Sequence, residues 1–348
     1  MSSFYKCTFF EKPKLKNVEN FVVEQEELVM NEILDNNRIS FSKNNVLYRC
    51  SFVEQSNFEP QKPTLLIPIK DNSNLLKYTL NNLKQTKVTE HANVIVIDDR
   101  SEEDLRSITL NNDLSYLRAD NEKGFNFSML NNIAAKLCSD MGVKEIVLWN
   151  SDLWAPDEHV FLQILERHRK NKSKISGTKL VYPPVEMSLN KNLDTENIKS
   201  TFPNLTGGKW RETVQFGGDA WVLTPQSPIR VSPLHFRRFS KIENPLVNCD
   251  RGCNFVTGAL QIWDLKFFID LGGLNPSLSK NFQDVDICLK ATESGENVFY
   301  FGKNLFLYHD ESLSMHSIKN EKKNDHQMIS DHYLFAKLWN EKIGSMVF

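Results

Sequence analysis

Residues Thr64–Ile69, TLLIPI, form a short, nearly continuous apolar run that closes on Lys70-Asp71. An unbroken apolar run of this length, bounded by polar residues, is the pattern of a strand covered on both faces. Working outward, residues 75–83 have helical apolar spacing. Val94–Ile97 (VIVI) is a second buried-strand run and ends in Asp98-Asp99-Arg100-Ser101. Residues 126–141 read as a helix, residues 145–148 as a third strand ending in Trp149-Asn150-Ser151-Asp152, and residues 156–170 as another helix. Strands alternating with helices predict an α/β fold with a mostly parallel central sheet flanked by helices. Such sheets bind ligands beyond the carboxyl ends of their strands. The polar clusters Lys70-Asp71, Asp98-Asp99 and Asn150-Ser151-Asp152 all occupy that position.

On the N-terminal side, residues 22–34 (VVEQEELVMNEIL) have helix-like apolar spacing, whereas residues 40–53 read as strands. Residues 1–60 are therefore read as an appendage packed on a main domain of residues 61–315. Within that domain, residues 185–250 are rich in Pro, Asn, Ser and Gly and predict long loops and edge hairpins. Order returns at residues 255–263 (FVTGALQIW), followed by a helix over 265–271 that Gly272-Gly273 ends. A short helix is expected over 284–294, strands over 298–301 and 305–308, and a docked C-terminal helix within the tail 316–348.

The 348-residue chain carries 42 Lys+Arg against 44 Asp+Glu, a net charge of −2 that argues against a nucleic-acid partner. No apolar run approaches the roughly 20 residues of a membrane span, and residues 1–14 lack the apolar core of a secretory signal. Six scattered cysteines do not form a disulfide framework. A cytoplasmic globular protein is the expectation.

Four groups of residues could carry chemistry. Asp98-Asp99 ends a strand where a carboxylate can meet a nucleoside, but residues 69–73 (IKDNS) lack the glycines of a dinucleotide turn. Asn150 and Asp152 present two oxygen donors at i and i+2, which suits a divalent cation bridging phosphates; an ordinary polar turn has the same composition. Asp284 and Asp286 open a short helix whose dipole favours their ionised form, as a general base requires. His309 follows a strand, where it is either a hydrogen-bonded structural residue or a metal ligand.

Taken in order, these segments resemble the family 2 glycosyltransferases of the GT-A fold, and within them the bacterial rhamnosyltransferase-like branch. LLIPIKDN, VIVIDDRS, KGFNFS with Asn131-Asn132, LWNSDLWAP, GTKLVYP, VQFGG, NFVTGALQIWDLKFFIDLGGLNPSL, NFQDVDICLKATESG and LYHDESLS form a colinear series across residues 63–315. The resemblance implies an inverting transferase that moves a sugar from a nucleotide-sugar, UDP- or dTDP-linked, to a glycan or lipid-linked glycan acceptor in bacterial surface-polysaccharide synthesis. It implies a Mn²⁺ or Mg²⁺ ion on Asp152, with His309 and Asn150. It makes Asp284 the catalytic base and places Pro68, Lys70, Asp71, Asp98, Asp99, Lys123, Asn131 and Ser151 around the nucleotide-sugar. Gly258, Asp286 and Trp263 would line the acceptor side. A cytoplasmic enzyme, or one peripheral to the inner face of the membrane, follows.

This sequence departs from the family pattern at Asn150, where an aspartate is expected, and at Gln283, where many relatives carry an acid. A neutral amide oxygen still coordinates a hard cation but with less charge. The substitution at Asn150 keeps open a second reading, a catalytically silent binding module with this fold. The cluster His235-Phe236-Arg237-Arg238-Phe239 is either a grip for a diphosphate or sugar or a surface loop.

Overall fold

The computed structural model describes residues 8–9, 19–34, 38–189, 210–310 and 323–347. Residues 311–314 of the LYHDESLS segment and residues 190–209 of the 185–250 region lie outside the described residues. The body is an 11-stranded sheet with helices on its faces. At its centre, four parallel strands stand in the order Ser115–Asp120, Asn93–Asp98, Thr64–Ile69, Glu145–Trp149. Every residue of the Thr64–Ile69 and Asn93–Asp98 strands is buried. These are the runs whose lack of alternation predicted cover on both faces. Beyond Glu145–Trp149 the sheet continues through Leu260–Asp264, Ile175–Thr178, Val298–Phe301 and Asp250–Cys253, and only the Ile175–Thr178/Val298–Phe301 pair is parallel there. Helices Ser73–Gln85 and Phe127–Asp140 follow the first and third strands of the chain's α/β run.

The N-terminal segment differs from the helix expected over residues 22–34. Glu19–Leu34 is a strand, paired antiparallel with Arg38–Val53 in a hairpin of 16-residue arms. The second arm joins the main sheet by pairing residues 49–53 with Ser115–Asp120. Period two is present once burial is known: Val23, Gln25 and Glu27 are buried, while Val22, Glu24 and Glu26 are not. Two of the three inward residues are polar, so the alternation that marks a strand was hidden, and the apolar residues alone mimicked a helical stripe.

Glu27 is the price of that arrangement. Its carboxylate accepts from the Tyr48 hydroxyl (3.3 Å) and the Asn126 amide (3.2 Å). Burial pushes its pKa up to about 7 against the opposing pull of Lys123. A carboxyl raised on folding stabilises the protonated form, so its contribution is complete below about pH 4.5 and is lost as pH rises through 7. Glu27→Gln keeps an acceptor and removes the charge. We expect the variant to be more stable than wild type at pH 8, by on the order of 3 kcal/mol, and equal to it at pH 4.5. Chemical denaturation at both pH values checks this; an unchanged difference between them would refute it.

In place of the edge hairpins expected, the described residues of the 185–250 region supply a separate two-stranded hairpin and one edge strand of a small sheet. Asp219–Leu223 pairs with Val231–His235, and Val214–Phe216 joins a small sheet with Leu180–Val181, Leu307–His309 and Leu153–Trp154. The tail forms a helix, Lys323–Trp339, docked through Leu334, Phe335 and Trp339. Among the described residues no helix is long and apolar enough to cross a membrane.

Candidate active site

A cleft of about 320 Å³ opens at the carboxyl ends of the Thr64–Ile69 and Glu145–Trp149 strands. Pro68 and Lys70 line it at the end of the Thr64–Ile69 strand, and Asn150, Ser151 and Asp152 make its floor. Thr257, Gly258, Ala259 and Asp284 form a further wall, and His235 and His309 complete the lining.

The floor is held in place by the first helix of the α/β run. Asn82 clasps Ala155 through both ends of its amide, accepting from Ala155 N (2.9 Å) and donating to its carbonyl (3.0 Å). Thr79 donates to the Ser151 carbonyl and accepts from the Trp154 indole at 3.1 Å. Asn150 N donates to the Ala259 carbonyl at 3.0 Å, tying the floor to the wall at Ala259. Asp152 lies at the centre of this turn and is buried, as is His309.

His309 Nε2 stands 3.2 Å from Asp152 Oδ1, and its Nδ1 faces Gln215 Oε1 at 3.2 Å. In the tautomer that carries its proton on Nδ1, facing Gln215 Oε1, Nε2 turns a lone pair toward the carboxylate oxygen; the other tautomer, or the protonated ring, would instead donate Nε2–H to it. Asp152 Oδ1 is itself buried and accepts no hydrogen bond in this geometry. Two facing acceptors need a proton or a cation between them. Two ligands of one hard cation at roughly 2.1 Å each stand about 3 Å apart, which this pair matches. The pair thus fits a divalent ion, with Asn150 as a neutral neighbour. Among the described residues no cluster of three or more His, Cys, Asp or Glu side chains forms a fuller ligand set.

Asp284 sits in the first turn of the helix Gln283–Glu293. Its Oδ2 accepts the Gly258 N–H at 2.7 Å and its Oδ1 the Val285 N–H at 2.9 Å. A Cβ at position 258 would lie 3.2 Å from the Asp284 Cβ, so the close approach of the two segments depends on that glycine. Burial raises the Asp284 pKa above the usual carboxylate range, and the backbone donors only partly offset it. The dipole was expected to hold Asp284 ionised; desolvation outweighs it here and makes the carboxylate more basic.

The remaining expected site residues divide. Asp71 has a left-handed backbone and accepts Glu102 N at 2.8 Å, pinning neighbouring loops outside the cleft lining. Asp98 is fully buried, accepting from Ser101 N (2.7 Å), Arg118 Nη1 (3.1 Å) and the Tyr116 hydroxyl, so it braces the strand end from behind. Asp99 is equally buried; one oxygen accepts from Asn121 Nδ2 (3.1 Å) and the other has no partner. Lys123 is exposed, and Asn131 is buried with its amide donating to the Phe127 carbonyl at 2.9 Å; neither lines the cleft. Asp286 points away, bound by the Trp339 indole (2.9 Å) and Lys290 (2.7 Å). Trp263 is three residues further along its strand than Leu260, opposite Ile146. That is roughly 10 Å down the sheet at strand rise, and the ring is fully buried in the core. Neither Asp286 nor Trp263 lines the cleft.

Gln215, Lys280 and Asn281 line the cleft without having been singled out from sequence. Gln215 lay within the quoted VQFGG segment. Asn281 likewise lay within the quoted NFQDVDICLKATESG, whereas Lys280 lay between quoted segments, where the only signal was position. His235 reaches the cleft from the hairpin Asp219–Leu223/Val231–His235. Arg238, from the same basic-aromatic cluster, is instead held against the Tyr182 hydroxyl at 2.8 Å.

These features belong to a recognisable class of fold. The structure is similar to that of GalNAc-T7 with UDP, GalNAc and Mn²⁺, at 13% identity and a TM-score of 0.50, covering 71% of this chain and 43% of that one. The chain thus spans less than half the length of GalNAc-T7. Similarity extends to TarS from S. aureus in complex with UDP (13% identity, TM-score 0.44, 83% and 75% of the two chains). It also extends to the mannosyltransferase PcManGT from Pyrobaculum calidifontis in complex with GDP-Man and Mn²⁺ (11%, 0.40, 83% and 73%). No protein-family model and no curated protein matches the chain. The fold is the α/β fold of the GT-A glycosyltransferases.

Proposed function

We propose that the protein is an inverting glycosyltransferase that moves a sugar from a nucleotide-sugar donor to a saccharide acceptor. The observation that carries this reading is the cleft. It brings a buried Asp152–His309 pair and a carboxylate whose pKa burial raises, Asp284, into one lining, at the strand ends where such α/β folds meet their ligands. Asp284 is the cleft carboxylate not engaged by a histidine. A single displacement needs one such group, a base on the acceptor side.

In this reading a divalent ion, Mn²⁺ or Mg²⁺, would be held by Asp152 and His309 and would offset charge on the donor diphosphate. Lys70 and Lys280, both in the cleft lining, add positive charge where the leaving group becomes more negative. Asp284, oriented by the Gly258 N–H, takes the proton from the acceptor hydroxyl as that oxygen attacks the anomeric carbon. The new C–O bond forms as the bond to the diphosphate breaks, and the nucleoside diphosphate leaves from the opposite face. The buried Asp98 and Asp99 shape the nucleoside end from behind. A UDP- or dTDP-sugar donor, a glycan or lipid-linked glycan acceptor of a bacterial surface polysaccharide, and a cytoplasmic location are parts of the same proposal. They rest on the sequence resemblance.

One observation favours a second reading. Asn150 leaves the floor with a single carboxylate, as in a silent binding module. A thermal-unfolding screen with UDP, dTDP, GDP and CMP, each with and without Mn²⁺, separates the two when followed by donor turnover with the best nucleotide. We expect a Mn²⁺-dependent rise with one nucleoside diphosphate and release of that nucleotide from its sugar. Binding without turnover would favour the silent module, and no rise with any nucleotide would refute the donor site.

A further inference from the structure

The helix Gln283–Glu293 begins without a side-chain cap, at Phe282, whose backbone is left-handed (φ 64°). What holds that start in place comes from the C-terminal tail, outside the α/β core. Asp331, buried in the helix Lys323–Trp339, accepts both Lys280 N and Asn281 N on its Oδ2, each at 2.9 Å. Its Oδ1 accepts the Gln327 amide at 2.9 Å. One turn on, the Phe282 ring stacks on Phe335 (centroids 4.7 Å, 26°) and meets His332 edge-on at 4.7 Å. At the far end of the same helix, the Trp339 indole donates to Asp286 at 2.9 Å. The tail helix thus grips residues 280, 281, 282 and 286, which flank Asp284 on both sides.

We propose that Asp331 is a positioning residue for the active site. From the C-terminal helix it fixes the 280–283 loop, so that Asp284 meets Gly258 and Lys280 and Asn281 face the cleft. This rests on the transferase reading above only for its effect on rate; the grip itself is geometric. A left-handed, non-glycine helix start is strained, and Asp331 supplies the acceptor for the two N–H groups just ahead of it, beside the packing of Phe282 on Phe335 and His332. Burial raises the Asp331 pKa to about 6, so the acceptor is ionised at neutral pH.

The test uses the full chain with Asp331→Ala and Asp331→Asn. The Asp331 carboxylate that the Lys280 and Asn281 N–H groups meet is buried, so folding of Asp331→Ala is checked before either readout. Asparagine keeps one oxygen for both donors and can turn its amide to Gln327. Two readouts are needed. The first is the titration midpoint of Asp284, followed by carboxyl ¹³C NMR without any substrate. We expect it to fall toward the ordinary aspartate range in Asp331→Ala, as the loop opens to water, and to return in Asp331→Asn. The second is steady-state transfer: kcat lower by about 10–100-fold with donor KM within threefold, again restored by asparagine. An Asp284 midpoint unmoved in Asp331→Ala overturns the proposal. So does a wild-type kcat in that variant, measured well below its unfolding midpoint. If wild type transfers no sugar, the transferase reading fails, and the Asp284 titration alone decides the grip. Should Asp331→Ala not fold, Phe335→Leu removes the stacking on Phe282 without touching a hydrogen bond, and the same two readouts apply.

Discussion

Asp284→Asn is expected to lower kcat by about 10²–10⁴-fold, the usual worth of a positioned general base, while leaving nucleotide binding within threefold of wild type. The amide oxygen can still accept the Gly258 N–H that now reaches Oδ2 at 2.7 Å, so the two segments stay together. What is lost is the group that takes the acceptor proton. Because burial lifts the Asp284 pKa above the ordinary carboxylate range, the wild-type rate should fall on the acid side at a pH higher than an exposed aspartate would give. A stopped assay of transfer across pH 4–8, with nucleotide affinity by calorimetry, measures both effects. A variant with kcat within threefold of wild type would remove Asp284 from the mechanism.

Asp152→Ala should abolish the dependence of nucleotide binding on the divalent ion. The structure pairs Asp152 Oδ1 with His309 Nε2 at 3.2 Å and gives that oxygen no hydrogen bond. Removing it leaves an imidazole and the neutral Asn150. A ligand present at 100 times its dissociation constant adds about 2.7 kcal/mol to the native state, and a 100-fold loss of affinity removes most of that. The Mn²⁺-dependent part of the rise in unfolding midpoint should therefore vanish, while any metal-independent part persists. Asn150→Asp is expected to act in the opposite sense. It adds a carboxylate to the same floor and should lower the Mn²⁺ concentration needed for half-maximal shift. An Asp152→Ala protein that keeps the full Mn²⁺-dependent shift would place the ion elsewhere.

Three of the four parallel strands at the α/β centre were legible because their signals are local; the fourth, Ser115–Asp120, was not read from the sequence. TLLIPI and VIVI are unbroken apolar runs, and a strand buried on both faces has no polar residue to interrupt it. Helices Ser73–Gln85 and Phe127–Asp140 were legible from apolar spacing, but their caps, Asn72 and Asn126, which accept the N–H groups three residues on at 3.2 and 3.0 Å, were not read from the sequence. The N-terminal hairpin was not legible. Its inward face carries Gln25, whose amide donates to the neighbouring Glu26 carbonyl at 2.9 Å, and Glu27, whose partners Tyr48 and Asn126 lie 21 and 99 residues away. No window of sequence contains the reason Glu27 is tolerated.

The candidate site divides along the same line. Asp152, His309, Asp284 and Gly258 come from four separate segments, and sequence order alone identified them as a set. Sequence could not distinguish a carboxylate that faces a cleft from one that braces the wall behind it. Asp98 and Asp286 have the residue type and place in the motif that chemistry would want. Tyr116 and Arg118 claim the first, and Trp339 and Lys290 the second. The sequence by itself thus determined the layered architecture, the strand ends where ligands meet it, and the residues that could act there. The tertiary structure decided which of those carboxylates are spent on structure. It also brought the C-terminal helix onto the loop before Asp284. Both outcomes depend on contacts between residues far apart in the chain, which only the packed fold creates.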